Sequence, residues 1–410
     1  MPPSAPSADQ ILLNAGCANP YPDYAELRSC APVTKLSNQS VYLVSRYSDL
    51  VSVLKQPEFY SSRVPGFLRR KDDGVLEWVD APSSEESGQI LGAEDPPRHT
   101  EQRKFLSRTF HQRVKALEPA LQSYCEREVA ALMTNEGEVD FMAQIARRLP
   151  IWVVGQLLGL PESDYPRLAE LASHAIKLML GTTTDRGFMQ CMAAAGELQE
   201  YLYHFYATLQ ADAGVPDNLA GDLLSGERVG ESDSATVLGM LYQLVVGGAD
   251  TSASWLGSAL LVALRNLEQL DPTSTAQIEP LTEEALRLET PSQGNYRRVT
   301  TTTELAGVTL PEGAVVVLLW GSANRDETIY QNADQVVLNR SERQHLAFGR
   351  GIHACLGSAL ARMECRVLMR AIWPHLNALE LLDGYEQTEW IESLFNRQLQ
   401  SLRLRVKAER

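Results

Sequence analysis

The chain has 410 residues, a formal net charge of −15 and 44% hydrophobic residues. That is enough for a large buried core, and the acidic balance argues against general nucleic-acid binding. The six cysteines (Cys17, Cys30, Cys125, Cys191, Cys355 and Cys365) are scattered without a CxxC pair; this argues against a disulfide framework or structural zinc and fits a reducing, cytoplasmic setting.

Residues 1–30 begin Pro/Ser/Ala-rich, with no basic n-region and no apolar h-region, so no signal peptide is expected. A short helix follows in "YPDYAELRSC", then a strand in "VYLVSRY" (41–47) and a helix from Ser48 to about Gln56. Residues 57–95 are expected to be irregular, with "GFLRRKDDG" and "APSSEESGQ" as loop signals. From about 97 to 270 the pattern is helical, opening at the prolines of "PPRHTEQRKFLSRTF" and continuing near 114–133, 140–157, 163–181, 187–211 and 233–267. The last run is the most apolar, but Gln243, Asp250 and Thr251 interrupt it. It reads as a helix buried in a protein core, not as a membrane span. After a helix at 279–288, "RRVTTTTELAGVTLPEGAVVVLLW" (297–320) reads as a small β-unit. An irregular meander covers about 325–344, a helix about 357–376, and a final strand lies in "LQSLRLRV". The expected fold is mainly α with a small β region: a single domain over 1–410, with minor β-rich parts near 31–60 and 291–345. A monomer is expected.

The stretch "HLAFGRGIHACLGSALARME" (345–364) carries the chemistry. Glycines lead into Cys355, and helix formers follow. A thiolate there gains from the helix dipole and free N–H groups, and glycines allow close approach of a flat partner. On these grounds alone the thiol is a nucleophile or a metal ligand. "GGADTS" (247–252) breaks local rules in mid-helix, with adjacent glycines and a buried acid. It is either a functional break or a kink with a threonine bonded back to its own helix.

"FGRGIHACLG" resembles the haem-binding signature of the cytochrome P450 family. Phe348, Gly349, Gly351, His353, Cys355 and Gly357 match its fixed positions. The resemblance covers nearly the whole chain and implies a P450 fold, with the long central helix lying over haem b (iron protoporphyrin IX) and Cys355 as the axial iron ligand. "EALR" supplies Glu284 and Arg287 on one helical face, and Arg340 in "VVLNR" matches the arginine that the family pairs with them in a structural network. The meander departs from the family pattern at Ala333, where proline is frequent, and at Val336, where phenylalanine is frequent. His99, Arg103, Arg297 and His353 match positions that bind the haem propionates, with Arg298 as a rival to Arg297.

In the same resemblance Gly247, Gly248, Ala249, Asp250 and Thr251 match the oxygen-binding signature. Thr251 is the expected hydrogen-bond partner of dioxygen, and Asp250 the expected relay carboxylate, rotating toward solvent. Gly247 and Gly248 are expected to make room. The implied activity is insertion of one oxygen atom from O2 into a small or medium lipophilic substrate. The same motifs also suit coupling, desaturation or nitration in natural-product biosynthesis, or a haem-thiolate protein that binds ligands without turnover; the Asp–Thr pair argues against the last. The sequence shows no flavin or iron–sulfur motif, so electrons are expected from an external ferredoxin and ferredoxin reductase. These would dock on a basic patch of Arg103, Lys104, Arg108, Arg113, Arg343, Arg350, Arg362 and Arg366. Expected substrate contacts are Val64, Phe67, Leu180, Leu244, Gly247, Ser292, Asn295 and Phe395.

Overall fold

The computed structural model describes residues 7–15, 19–37, 39–80, 90–135, 137–182, 184–212, 214–382 and 388–407. The loop signal "APSSEESGQ", the N-terminal residues 1–6 and Cys17 lie outside them.

Twelve α-helices form about half of the described chain: α1 (Ala8–Ala15), α2 (Tyr21–Cys30), α3 (Tyr47–Leu54), α4 (Arg98–Met133), α5 (Arg148–Leu158), α6 (Tyr165–Leu180), α7 (Asp185–Ala211), α8 (Leu219–Arg228), α9 (Ser234–Arg265), α10 (Ile278–Leu288), the single turn α11 (Trp320–Ala323) and α12 (Ser358–Ile372). The strands are β1 (Val33–Lys35), β2 (Val41–Val44), β3 (Tyr60–Ser61), β4 (Gly66–Arg70), β5 (Leu76–Asp80), β6 (Gly137–Asp140), β7 (Asn295–Val299), β8 (Thr303–Leu305), β9 (Val308–Leu310), β10 (Val315–Leu318), β11 (Leu379–Leu381) and β12 (Arg403–Val406).

Helix α9 is the axle. It starts where the Asp233 carboxylate caps the N–H of Thr236 at 2.7 Å. Its apolar residues face all round, because α5, α6, α7, α10 and α12 pack on it from several sides. None of the described helices is long and apolar enough to cross a membrane.

The main sheet runs β1-β2-β10-β7-β3. It joins the N-terminal strands to the unit at 295–318 through the parallel pair β2–β10. A three-stranded antiparallel sheet, β11-β12-β6, ties the C-terminus to the start of the helical layer.

The structure departs from the sequence expectation in several places: α1, β1, β6 and β11 are additions, and the runs before and after residue 114 are one helix, α4. The described part of 57–95 is not all irregular: β4 and β5 form an antiparallel hairpin with Phe67 opposite Val79 and Arg70 opposite Leu76. Gly74, at φ +80°, supplies the left-handed turn position. Helix α8 is an addition. Its glycines weaken the helical signal, yet packing demands them: a Cβ at Gly221 would collide with the Pro216 carbonyl, and one at Gly226 with the Phe105 ring.

Candidate active site

A cavity of about 330 Å³ lies between α9 and the loop before α12. One wall is Phe348, Gly349, His353, Cys355 and Gly357; facing it are Leu244, Gly247, Gly248 and Thr251. His99, Arg103 and Arg297 line it, with Ser292 and Asn295 nearby on the segment that runs into β7.

The cysteine loop is built by its own backbone. The Cys355 N–H donates to the Phe348 carbonyl at 2.8 Å. Gly349 and Gly351 take φ of +63° and +78°, and a Cβ at Gly351 would stand 2.8 Å from the Leu54 carbonyl oxygen. Only glycine fits that turn. The Cys355 thiol opens into the cavity yet lies deep in the protein. Burial pushes its pKa up, against hydrogen bonds from the Gly357 and Ser358 backbone N–H groups and the charges of Arg103 and Arg362. The surroundings thus favour a thiolate as soon as a cation meets the sulfur.

Behind this loop lies the acid–arginine network. Glu284 takes two bonds from Arg287 (2.7 and 2.9 Å), two from Arg340 (3.0 and 3.1 Å) and the Val337 N–H at 3.0 Å. Burial alone would raise the Glu284 carboxyl, but these bonds hold it below its ordinary value. Arg287 also reaches the carbonyls of Asn324, Ala333 and Gln335. At residue 333 the network uses the backbone oxygen, so alanine serves there.

The basic groups form a second cluster. The His99 and His353 rings stand 4.1 Å apart. Both ring nitrogens of His99 and Nε2 of His353 are buried without a partner among the described residues. Burial pulls Arg297 down to about 10, and burial together with Arg297, His99 and Arg103 pulls His353 down to about 3. Buried polar atoms are rarely left unmet, and crowded cations repel. A flat group carrying carboxylates fits this gap: anionic edges against the basic cluster, a metal over Cys355, and room opposite Gly247, where a Cβ would meet nothing within 4 Å.

On the central helix, the Thr251 hydroxyl donates to the Gly247 carbonyl at 2.8 Å and leaves its lone pairs toward the cavity. Asp250 is not among the lining residues. It is buried and accepts from Asn396 Nδ2 (2.9 Å) and Gln398 Nε2 (3.1 Å). In place of a carboxylate free to rotate to solvent, the structure holds one tied to the turn at 393–398.

Of the eight expected substrate contacts, Leu244, Gly247, Ser292 and Asn295 line the cavity; Val64, Phe67, Leu180 and Phe395 do not. These last pack into a seam beside it. The Phe395 N–H donates to the Leu180 carbonyl at 2.8 Å, the Phe395 ring is edge-on to Tyr296, and Phe67 meets Phe188. Sequence reasoning missed Gln243 and Ser252, which line the cavity, and Asn396, Gln398 and Glu364. Glu364 on α12 is fully buried and hydrogen-bonded to Ser252; burial raises its carboxyl to about 8. Its Oε2 has no partner. A charge patterned as "ARME" on an amphipathic helix gave no sign of facing inward.

The expected basic patch is partly neutralised. Arg108 pairs with Glu231, Arg113 with Asp217 and Asp222, Arg362 with Glu283, and Arg366 with Glu118. Arg103 donates to the Ala354 carbonyl at 2.7 Å. Lys104, Arg343 and Arg350 are exposed and, among the described residues, show no ion pair.

The Cytochrome P450 family model matches residues 279–378, from α10 through the cysteine loop. Cytochrome P450 144 of Mycobacterium tuberculosis is 29% identical over 393 residues, covering 95% of this chain and 89% of that protein. Cytochrome P450 130 of the same organism is 30% identical over 371 residues, 86% of each chain. Among solved structures, cytochrome P450 CREJ in complex with (4-ethylphenyl) dihydrogen phosphate aligns with a TM-score of 0.86 and 25% identity, over 95% of this chain and 98% of that one. The chain belongs to the cytochrome P450 family. It is a P450 monooxygenase, and its cofactor is haem.

Proposed function

We propose that residues 1–410 act as a single catalytic domain, a cytoplasmic monooxygenase that takes electrons from an acidic ferredoxin and its reductase and oxidises a small or medium lipophilic substrate. The observation that carries this reading is one cavity with Cys355 on one wall, Gly247, Gly248 and Thr251 on the other, and at its side a basic cluster whose buried histidine nitrogens have no partner among the described residues.

Cys355 would hold the iron, and His99, Arg103, Arg297 and His353 the propionates. When bound, the haem supplies dioxygen activation, favoured by electron donation from a thiolate ligand. The chain's own residues do the rest. Gly247 and Gly248 keep side chains out of the space above Cys355. Thr251 presents a hydroxyl that can turn from the Gly247 carbonyl to donate into the cavity, and Asp250 supplies the proton behind it. Leu244, Ser292 and Asn295 orient a mostly apolar substrate, and the seam of Val64, Phe67, Leu180 and Phe395 shuts water out above it. The Glu284–Arg287–Arg340 network keeps the cysteine loop in register. Lys104, Arg343 and Arg350 are the cations left to steer an acidic donor.

The spectrum of the reduced, CO-bound protein tests the assignment. A strongly red-shifted Soret band is expected, lost in Cys355→His; a shift that survives this change overturns the ligand assignment. Mass analysis of products from a substrate screen then separates oxygen insertion, with a gain of one oxygen atom, from coupling or desaturation.

A further inference from the structure

Asp250 and Thr251 are neighbours, but their surroundings differ. The Asp250 carboxylate takes one amide on each oxygen: Asn396 Nδ2 at 2.9 Å on Oδ2 and Gln398 Nε2 at 3.1 Å on Oδ1. Gln398 Nε2 also lies 3.3 Å from the Asp250 backbone oxygen. All three residues are buried. The other ends of the two amides, Asn396 Oδ1 and Gln398 Oε1, are buried without a partner. Two orphaned acceptors are a costly arrangement for side chains that only fill space.

The chemistry of a carboxamide explains the choice. Each amide has a donor end and an acceptor end. As placed, both donors meet a carboxylate. Arg397, between the two amides, turns elsewhere: its Nε donates to Glu289 at 2.8 Å and its guanidinium lies 3.4 Å over Trp390. Among the described residues no cation, histidine or second carboxylate bonds to Asp250.

The backbone carrying the amides is fixed to the cavity wall. Ser292 and Asn396 form an antiparallel bridge, the Arg397 N–H donates to the Pro291 carbonyl at 2.8 Å, and the Gln293 N–H to the Phe395 carbonyl at 2.7 Å. Pro291 and Ser292 line the cavity. Only side-chain rotation is left to the amides.

We propose that Asn396 and Gln398 are positioning residues for proton delivery: their paired carboxamide donors hold Asp250 in place behind Thr251 and favour its ionised form. This rests on the reading of Asp250 as a relay. A solvent-derived proton that reaches Asp250 is given up to the cavity side, leaving the carboxylate ionised, and no electrons move.

The test uses haem-loaded protein labelled with ¹³C-aspartate. The infrared difference against Asp250→Asn, taken in each background, isolates the Asp250 carboxylate band, which is then titrated with pH. Asn396→Asp and Gln398→Glu replace a donor with an acid of the same shape; Asn396→Leu and Gln398→Met remove both ends. Each change takes a donor away from the ionised carboxylate and is expected to move the band toward the protonated form at a fixed pH. A second readout needs no organic substrate: the fraction of dioxygen released as peroxide, with a surrogate ferredoxin and reductase supplying electrons. Its pH profile should move with the band. If every variant that retains the wild-type CO spectrum leaves the band unmoved, the amides only pack and the proposal fails. If Asp250→Asn itself leaves the peroxide profile unchanged while the band still shifts, the relay reading fails and takes the functional claim with it.

Discussion

The two sides of the cavity are built in opposite ways. The cysteine side comes from one continuous stretch, 345–364, shaped by its own backbone bonds and by glycines at positive φ. The far wall is α9 with Ser292 and Asn295, and the covering beside it is assembled from segments hundreds of residues apart: the β4–β5 hairpin, the α6–α7 junction, the start of β7 and the turn at 393–398. There, side chains make the joints. Arg69 pairs with Glu77 and Asp185, Arg70 with Glu392, and the Arg70 N–H donates to the Thr182 carbonyl at 2.8 Å. A site built this way keeps its ligand geometry fixed, while its covering can change sequence and can open.

That contrast is open to test. The largest effect should come from the support of the cysteine side. Glu284→Ala leaves two buried guanidiniums facing each other, and removing one partner of such a pair costs about 3–5 kcal/mol. Denaturant unfolding should show that loss together with haem release. A loss below about 1 kcal/mol would mean that the loop stands without its network.

The next concerns Glu364. Its buried carboxyl sits at about 8 against an ordinary 4.5. Between those values the folded protein keeps a proton that the unfolded chain has released, so stability falls as pH rises through the window. Glu364→Gln keeps the shape and removes the titration. The stability difference between about pH 5 and pH 8 should shrink by on the order of 3 kcal/mol, measured by urea unfolding at both.

On the far side the expected energies are small and the rates large. Asp185→Asn breaks the pair with Arg69 (2.7 Å). An exposed pair of this kind contributes under about 1 kcal/mol, but imidazole should reach the iron several-fold faster in stopped-flow mixing. An unchanged rate would mean that the hairpin is not a cover. The smallest effect is electrostatic. Raising the salt concentration should slow the first electron transfer a few-fold, and Arg350→Glu should slow it at low salt; four of the eight basic side chains are already neutralised, which limits the size.

What could be read from the sequence follows the same division. Cys355 with its glycines, and the Glu284–Arg287–Arg340 set, were legible because each depends on local spacing. The hairpin was read as a loop because its charged strands show little alternation. Asp250 stands out in the sequence as an acid inside an apolar helix, but its hold by Asn396 and Gln398 depends on partners about 146 positions away, which no local pattern carries. Glu364 was invisible for a related reason: a glutamate on an amphipathic helix is ordinarily exposed, and only the packing of α12 on α4 and α9 buries it.

The basic cluster has a consequence for the protein's life history. The His99 and His353 rings stand 4.1 Å apart beside the buried Arg297, and their buried nitrogens have no partner among the described residues. The cofactor therefore completes folding as well as catalysis, much as a keystone completes an arch. Protein synthesised faster than haem is delivered should linger in a looser form and fall to proteases first, so its abundance in a cell would follow the supply of porphyrin iron.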